Sequence, residues 1–291
     1  MRGKIVFAGL ILGLSAIAAS AQDVDHPFPN DVYCSGVVSS ESVPRDNYVI
    51  TGQESNIRLV FNQNDHVFIS KGSSQGVKVG DEFSVIRPVE DPTRTEWTKW
   101  QFATLHKMGT LWEDEGRLKV VDVRPDVSVA LVQHACSYLQ RGDIVLPLVA
   151  RPEPPLKPQA TPDSFAPLTG KSLAMVVTSQ KFVAEVGKND FIYVNLGNAQ
   201  GVKVGDYFRI FRYTGTQNEV AYQTPRYAFE VEGEFGPTYG YGAAGKKWNW
   251  NNVPREVLGE GIVVRIAPNS STVLITFSKR EIYAGDYVEL E

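Results

Sequence analysis

An internal repeat is the feature that most constrains the fold of this chain. Residues 65–87 (DHVFISKGSSQGVKVGDEFSVIR) and residues 190–212 (DFIYVNLGNAQGVKVGDYFRIFR) align without gaps at an offset of 125, and 11 of the 23 positions are identical. A second pair, residues 116–145 and 259–288, follows in the same order at an offset of 143. Two collinear matches predict a tandem duplication, so the chain should contain two copies of one structural unit.

The segment between the two copies predicts where the domains begin and end. Seven prolines fall within residues 147–170, and their fixed φ and missing N–H favour an extended, semi-rigid spacer over a packed element. The length of 291 residues also suits two domains of about 150 residues. We expect a lead-in segment at residues 22–45, barrel repeat one at 46–148, a Pro-rich linker at 149–170 and barrel repeat two at 171–291.

Short β-branched and aromatic runs with a period of two recur in both copies. Residues 67–69 and 118–123 of the first copy, for example, correspond to residues 192–194 and 262–266 of the second. Gly, Pro, Asn and Asp separate these runs, which is typical of strands and turns. No amphipathic helix of 12 residues is evident. The pattern predicts an all-β protein in which each copy forms a small β-barrel or barrel-like sandwich of about five to seven strands.

The repeated heptad Gln-Gly-Val-Lys-Val-Gly-Asp has a structural explanation that needs no ligand. We expect Gly72 and Gly197 to end a strand at positive φ, and both Val77 and Val79 to point into the barrel. Each Gly-Asp pair should form a tight turn whose carboxylate accepts backbone N–H groups. The predicted turn residues are Gly72, Gly80, Asp81, Gly142, Asp143, Gly197, Gly205, Asp206, Gly285 and Asp286.

The order of these motifs resembles that of a known group of bacterial envelope proteins. A strand, Gly-x-x-x-Gly-Val-Lys-Val-Gly-Asp-x-Phe, a variable loop, Gly-x-Leu-x-Val-x-x-Val and a terminal Gly-Asp-x-Val occur in that order. The pattern is similar to the C-terminal domain of the flagellar assembly protein T and to β-barrels that accompany LysM-type periplasmic proteins. It covers residues 48–145 and 173–288. The resemblance implies a β-barrel fold and an envelope compartment, and no catalytic residue carries over from it.

The first 21 residues have the pattern of a secretory signal peptide. Arg2 and Lys4 precede an apolar run at residues 5–18, and small residues at 19–21 suit cleavage before Gln22. An uncleaved anchor helix is the alternative, although the run is shorter than the about 20 residues that usually span a bilayer. The sequence therefore predicts an exported chain without a transmembrane span after cleavage. The periplasm is the expected location, and the extracellular space is the alternative.

Export changes the expectation for the two cysteines. In an oxidising compartment Cys34 and Cys136 should form a disulfide, with two buried thiols as the alternative. The bridge would join residues 102 positions apart, and the loop-entropy model assigns such a bridge about 4–5 kcal/mol. The four histidines show no ligand spacing near a cysteine or a second histidine, so no metal site is predicted.

Composition and failed motifs exclude several function classes. A formal net charge of −4 provides no basic field for nucleic acid. Residues 240–245 match Gly-x-Gly-x-x-Gly, but no strand precedes them and no helix follows, so neither a nucleotide nor another cofactor is predicted. The Gly-x-Ser-x-Gly and His-Glu-x-x-His patterns of hydrolases are missing from the sequence. We therefore expect a protein that is not an enzyme.

Aromatic residues concentrate in two equivalent loops. All five tryptophans fall within residues 88–115 and 213–258. Loops on a rigid scaffold often carry recognition, and aromatic rings beside cations suit sugar faces or a protein groove. The alternative is that the rings plug the barrel mouth or pack the loop on its own barrel. The candidate binding residues are Trp97, Trp100, Trp112, Tyr239, Tyr241, Trp248 and Trp250.

These observations predict a non-enzymatic exported envelope protein that acts as an interaction or assembly module through its aromatic loops. Its partner would be another envelope protein. A module that binds peptidoglycan or another polysaccharide through the same rings is the alternative. An envelope hydrolase whose carboxylates no motif selects is the second alternative, because paired acids need not leave a sequence signature.

Overall fold

The computed structural model describes residues 27, 32–54, 56–158, 160–213 and 253–291, and the backbone of residues 218–221, 230–231, 238–239 and 246–249. The strands of both large sheets pair in antiparallel fashion. Consecutive strands pair at β5–β6–β7 and at β18–β19, and most other neighbours in the two sheets come from distant parts of the chain. No helix among these described residues has the length and apolarity needed to cross a membrane.

The first half of the chain forms a seven-stranded sheet. Its order is β2-β4-β7-β6-β5-β9, with β1 added to β6, and β3 pairs with β8 in a separate ribbon. The end strands approach each other, because Tyr48 bridges Ile144 and the Val49 N–H donates to the Asp143 carbonyl at 2.9 Å. The elements are β1 (Val37–Ser39), β2 (Val49–Gly52), β3 (Val60–Phe61), β4 (His66–Ile69), β5 (Glu82–Val89), α1 (Gln101–Met108), β6 (Thr110–Val123), β7 (Ser128–Ala135), β8 (Leu139–Gln140) and β9 (Ile144–Pro147).

The second half forms a closed barrel of six strands, which confirms the prediction of a mostly β chain that contains a barrel. The barrel runs β10-β12-β19-β18-β13-β21, and three strand pairs, β11–β20, β14–β17 and β15–β16, lie outside it. The elements are β10 (Leu173–Ser179), β11 (Glu185–Val186), β12 (Phe191–Val194), β13 (Tyr207–Tyr213), β14 (Asn218–Ala221), β15 (Glu230–Val231), β16 (Thr238–Tyr239), β17 (Lys246–Asn249), β18 (Arg255–Ala267), β19 (Ser270–Ser278), β20 (Ile282–Tyr283) and β21 (Tyr287–Leu290).

The apolar residues of the period-two runs form the interior of each sheet. In β4, Val67 and Ile69 are buried while His66 and Phe68 are partly exposed, so alternate side chains point to one core. The first-half core continues through β5, β6 and β7, and a matching core fills the closed barrel of the second half. Burial of these side chains is the main stabilising contribution, at about 25 cal/mol for each Å² of apolar surface removed from water.

The turn glycines are required by the backbone conformation or by close packing, but two of them do not have the predicted positive φ. Gly72 and Gly197 have φ of −129° and −134°, so the expectation of positive φ at these two positions is wrong. A Cβ at Gly72 would overlap the carbonyl oxygen of Arg124, and one at Gly197 would overlap that of Ala267. Both glycines are therefore required because the chain passes directly against the facing hairpin. Each precedes a short 3-10 helix, Ser73–Gln75 or Asn198–Gln200.

The four Gly-Asp turns have the predicted geometry. Their glycines adopt φ between +87° and +99°, a region that costs other L-residues energy; these are Gly80, Gly142, Gly205 and Gly285. In every turn the aspartate accepts the N–H three residues earlier at 2.7–2.9 Å; these are Asp81, Asp143, Asp206 and Asp286. The carboxylates thus satisfy backbone donors where each strand begins.

The two valines of the first heptad do not both point inward. Val77 is buried, whereas Val79 is 66% exposed, so the expectation for Val79 is wrong. Residues 77–81 form a turn before β5, and the alternation of a strand does not extend into them.

The lead-in segment lies between the two halves. Its strand β1 pairs with β6 of the first half, while its carbonyl oxygens accept hydrogen bonds from second-half side chains. Tyr193 Oη donates to the Ser35 carbonyl at 3.0 Å, and Thr272 Oγ1 donates to the Gly36 carbonyl at 2.9 Å. Ser270 Oγ donates to the Val38 carbonyl. The segment therefore joins both halves and is not attached to the first alone.

The described residues within 149–170 contain no strand, yet they form several hydrogen bonds with the rest of the protein. The Lys157 N–H donates to Tyr207 Oη at 2.8 Å, and the Ser164 carbonyl accepts the Val257 N–H at 2.8 Å. Proline removes donors but leaves carbonyl acceptors. Arg255 uses such an acceptor when it donates to the Pro167 carbonyl at 2.9 Å. These contacts hold residues of the Pro-rich segment against the second half.

Candidate binding site on the first long loop

The loop between β5 and β6 contains a helix that the sequence pattern did not predict. Helix α1 is only eight residues long, so its apolar spacing, mainly Leu105 and Met108, is too brief to stand out. The Phe102 N–H at its start donates to Glu96 Oε1 at 3.0 Å, which satisfies one of the free donors of a helix N-terminus. The helix ends at Gly109, where a Cβ would overlap the Ser39 carbonyl.

Helix α1 is anchored to the second half. The buried Gln101 donates from Nε2 to the Val177 carbonyl at 2.8 Å and accepts the Trp97 N–H on Oε1 at 2.7 Å. Met108 packs beside Val38 and Tyr193 in an apolar cluster that includes residues from both halves. The loop therefore has a defined conformation that depends on the contact between the halves.

Two of the predicted binding residues present exposed rings on this loop. Trp97 is 55% exposed and Trp100 is 65% exposed. The ammonium group of Lys99 lies 5.5 Å from the ring centroid of Trp100, which is within the range of a cation–π contact. Trp100 has a left-handed backbone, with φ of +70°, immediately before the helix. Large exposed rings on an anchored loop are well suited to a contact surface.

Trp112, by contrast, is an interior residue. It lies on β6, is only 5% exposed, and packs with Val37, Ile86 and Ile144 in a separate cluster. The guanidinium carbon of Arg45 lies 5.7 Å from its ring centroid. The structure therefore removes Trp112 from the candidate binding surface, and the packing alternative stated for the aromatic rings applies to it.

The remaining aromatic candidates belong to the second long loop. Tyr239 lies in β16 and Trp248 in β17, where only the backbone is described. Tyr241 and Trp250 lie outside the described residues. The Gly-x-Gly-x-x-Gly match at residues 240–245 also falls outside them.

A groove lies beside α1, and neither Trp97 nor Trp100 is among its lining residues. Its volume is about 600 Å³, and its lining comes from the end of the lead-in, the end of β5 and one side of the helix. Phe102, Leu105 and Leu111 provide apolar surface. Charged side chains Glu41, Glu90, Asp91 and Arg94 also line it. A lining that combines apolar surface with a few charged or polar groups is the usual composition of a binding groove.

Asp114 links the lead-in, the Pro-rich segment and the second half. Its carboxylate pairs with Arg151 at 2.7 and 2.9 Å, with Arg265 at 3.0 Å, and accepts the Gly36 N–H at 2.9 Å. Burial by itself would raise the pKa of Asp114, but Arg265, Arg151 and the Gly36 N–H outweigh burial and hold the pKa below its ordinary value. The aspartate is thus an ionised anchor for three segments.

Glu115, the next residue on β6, is in the opposite situation. It has no exposed surface, and neither of its carboxylate oxygens accepts a hydrogen bond within the described part of the chain. Arg87 Nη1 lies 3.1 Å from Oε1, but Arg87 already binds Asp143 through two hydrogen bonds of 2.7 and 2.8 Å. Burial raises the pKa of Glu115 to about 8. A raised pKa is typical of a general acid, yet a substrate cannot reach this fully buried group.

The predicted disulfide is present, and a histidine lies against it. Cys34 and Cys136 are bonded, with their Cα atoms 5.4 Å apart. His134 Nε2 lies 3.5 Å from Cys34 Sγ, so a histidine does stand beside the cysteine pair, where no ligand spacing was expected from the sequence. Burial, together with the nearby Arg117, lowers the pKa of His134. His134 precedes Cys136 by two positions, and this short spacing was the only signal available in the sequence.

No protein-family model matches this chain, and no curated protein matches it.

Proposed function

We propose that the protein is a non-enzymatic interaction module of the bacterial cell envelope. In this proposal Trp97, Trp100 and the groove on α1, the helix that follows them, contact another envelope protein. The observation that carries the proposal is that two mostly exposed tryptophans stand on a loop held in place by Gln101. Because that loop is already ordered, association costs less conformational entropy than it would for a free loop.

The charge at the groove favours a protein partner of particular chemistry. The charged lining residues are three acids and one base: Glu41, Glu90, Asp91 and Arg94. The charged lining of the groove is therefore net acidic, and Phe102, Leu105 and Leu111 add apolar surface to it. A segment with apolar and basic side chains would complement it in both respects. The same charge disfavours acidic polysaccharide, although the exposed rings would suit a neutral sugar face.

The structural support against an enzyme comes from the acidic residues. The described carboxylates with altered pKa values serve as anchors, as Asp114 does, or are enclosed, as Glu115 is. The turn aspartates accept backbone N–H groups. These structural roles account for the carboxylates without a catalytic function, so an envelope hydrolase is the least supported alternative.

We also infer that the two halves arose by tandem duplication and that the mature chain is exported, with the periplasm as its location. Equal turn geometry at Gly72 and Gly197 supports the duplication, as do the paired contacts of Arg87 with Asp143 and of Arg212 with Asp286. The disulfide supports an oxidising compartment. From the resemblance of its motifs we propose that the chain is related to the flagellar-assembly and LysM-associated barrels.

A photo-crosslinking experiment tests the proposed partner surface. A photoreactive amino acid at position 100 in the native cell should yield one dominant protein adduct. The double variant Trp97→Ala, Trp100→Ala should copurify at least about tenfold less of that partner, since buried aromatic anchors often contribute 2 kcal/mol or more. Ile57→Ala is a matched control, because Ile57 is an exposed apolar residue that does not line the groove.

The two alternative functions predict different results when the wild type is compared with the tryptophan double variant. A polysaccharide module would cosediment with purified sacculi, and the tryptophan variant would lose that cosedimentation. A hydrolase would turn over a panel of glycans and peptides. Full retention of the crosslinked partner by the double variant would refute the proposed surface.

A further inference from the structure

We propose that Cys34, Cys136 and His134 form a Zn²⁺ site when the disulfide between the two cysteines is reduced. One donor atom from each side chain lies within 4.8 Å of the other two. Two thiolates and an imidazole are ligands that zinc prefers, and a fourth position would be left for water or for a side chain of a partner.

The distance between the histidine and the nearer sulfur already suits a common metal ion. Zinc binds sulfur at about 2.3 Å and nitrogen at about 2.0–2.1 Å, so a tetrahedral centre separates the two donors by about 3.5 Å. Cys34 Sγ and His134 Nε2 are 3.5 Å apart. After reduction the two sulfurs must move to about 3.8 Å, which side-chain rotation can provide without a shift of the backbone.

The three ligands are held by contacts that do not depend on the disulfide. The Cys34 carbonyl accepts a hydrogen bond from Gln180 Nε2 at 2.7 Å, and β1 begins three residues after the cysteine. The Cys136 N–H donates to the Glu115 carbonyl at 2.9 Å. His134 pairs with Arg117 across β6 and β7. Reduction should therefore leave the donors near one another.

The three side chains are accessible, and the second half has no equivalent set of ligands. All three side chains are partly exposed, so a reductant and a metal ion can reach them. The matching positions of the second half, at the offset of 143, are Phe277 for His134 and Lys279 for Cys136. The ligand set is therefore specific to the first half and is not part of the shared packing.

The chemistry balances with a dithiol as the reductant. The dithiol transfers two electrons and two hydrogens to the disulfide, which becomes two thiols while the reductant becomes a disulfide. Zn²⁺ then replaces the two thiol protons, which pass to solvent, and accepts the lone pair of His134 Nε2. Metal binding would in turn protect the thiols from reoxidation.

The test uses the full chain and Zn²⁺ alone. Protein reduced with a phosphine under anaerobic conditions is incubated with ZnCl₂ and separated from free metal, and its zinc content is measured. We expect one zinc per reduced chain and none per oxidised chain. Co²⁺ in place of Zn²⁺ should give a thiolate-to-metal charge-transfer band, which surface histidines cannot produce.

Variants separate the proposed ligands from adventitious binding. The double variant Cys34→Ser, Cys136→Ser should bind no zinc. His134→Ala should weaken zinc binding by at least about tenfold, the smaller loss seen when even an outer-shell partner is removed. His66→Ala, on β4 of the same sheet, is the matched control and should bind zinc like the reduced wild type.

Three results would overturn the proposal. The first is reduced wild type without stoichiometric zinc, and the second is equal zinc affinity in the wild type and His134→Ala. The third is loss of the β-sheet circular dichroism spectrum on reduction, because the proposal requires the lead-in segment to stay in place.

Discussion

Replacement of Glu115 should make the protein more stable at neutral and alkaline pH. Glu115 is fully buried, and its ordinary pKa of 4.5 is raised to about 8 by burial. The second half shows that the position does not need a carboxylate, since Leu258 occupies the matching place and is buried in the barrel core. Glu115→Leu and the isosteric Glu115→Gln both remove the ionisation.

The direction in which Glu115 changes the stability with pH follows from its protonation in the folded and unfolded chains. Below pH 4.5 Glu115 is protonated in the folded and the unfolded chain, so it costs nothing. Between pH 4.5 and about 8 the unfolded chain releases the proton and the folded chain retains it, so stability falls as pH rises. Each pKa unit corresponds to about 1.4 kcal/mol, so a difference of about 3.5 units costs the folded state at most about 5 kcal/mol above pH 8.

Urea unfolding at pH 5, 6.5 and 8, followed by tryptophan fluorescence, measures this cost. We expect Glu115→Gln to match the wild type closely at pH 5 and to exceed it by several kcal/mol at pH 8. Glu82→Gln, an exposed residue on β5 that does not contribute to the raised pKa of Glu115, is the control and should keep the wild-type difference in stability between pH 5 and pH 8. Parallel pH profiles for the wild type and Glu115→Gln would refute the reasoning.

Three other predictions concern the structural framework. Gly72→Ala should lower the free energy of unfolding by an amount at the upper end of the about 1–3 kcal/mol range for overpacking, because its Cβ meets the Arg124 carbonyl. Gly76→Ala should cost only roughly 1 kcal/mol, because Gly76 has φ of +87° but open space around it. A larger loss for Gly76→Ala than for Gly72→Ala in urea unfolding would contradict the steric argument. Asp114→Asn should cost about 3–5 kcal/mol at pH 7, since two arginines lose their shared counterion. The difference should disappear as pH falls through the lowered folded-state pKa of Asp114, so a loss that persists at the acid limit would count against ionic anchoring. Protease cleavage within residues 147–170 should yield two pieces that coelute in native gel filtration, because the lead-in segment binds both halves; pieces that separate without denaturant would contradict this arrangement.

Local features of the sequence were sufficient to predict the strands and most turns. Runs such as residues 67–69 and 192–194 become strands because alternate side chains must bury on one face of a sheet. The Gly-Asp turns were predictable for a similar reason, since a carboxylate three residues from an N–H reaches it within a single turn. The disulfide was predictable from the expectation of export and the even number of cysteines.

Several features of the candidate site could not be predicted from local pattern. Helix α1 is too short for a periodic signal, and its position depends on the bond between Gln101 and Val177, which lie 76 residues apart. Trp97 and Trp112 belong to the same sequence loop, yet one is exposed and the other buried, because only Trp112 falls on the strand that β1 covers.

The sequence by itself thus determined the repeated unit, its strand content and its turn chemistry. The tertiary structure alone decided that the lead-in segment lies between the halves, that Glu115 is enclosed, and that His134 meets Cys34. The physical reason is the sequence distance over which each kind of interaction acts. Strand and turn preferences act over a few residues, whereas a contact such as that of Thr272 with Gly36 joins positions 236 residues apart and exists only once both sheets have formed.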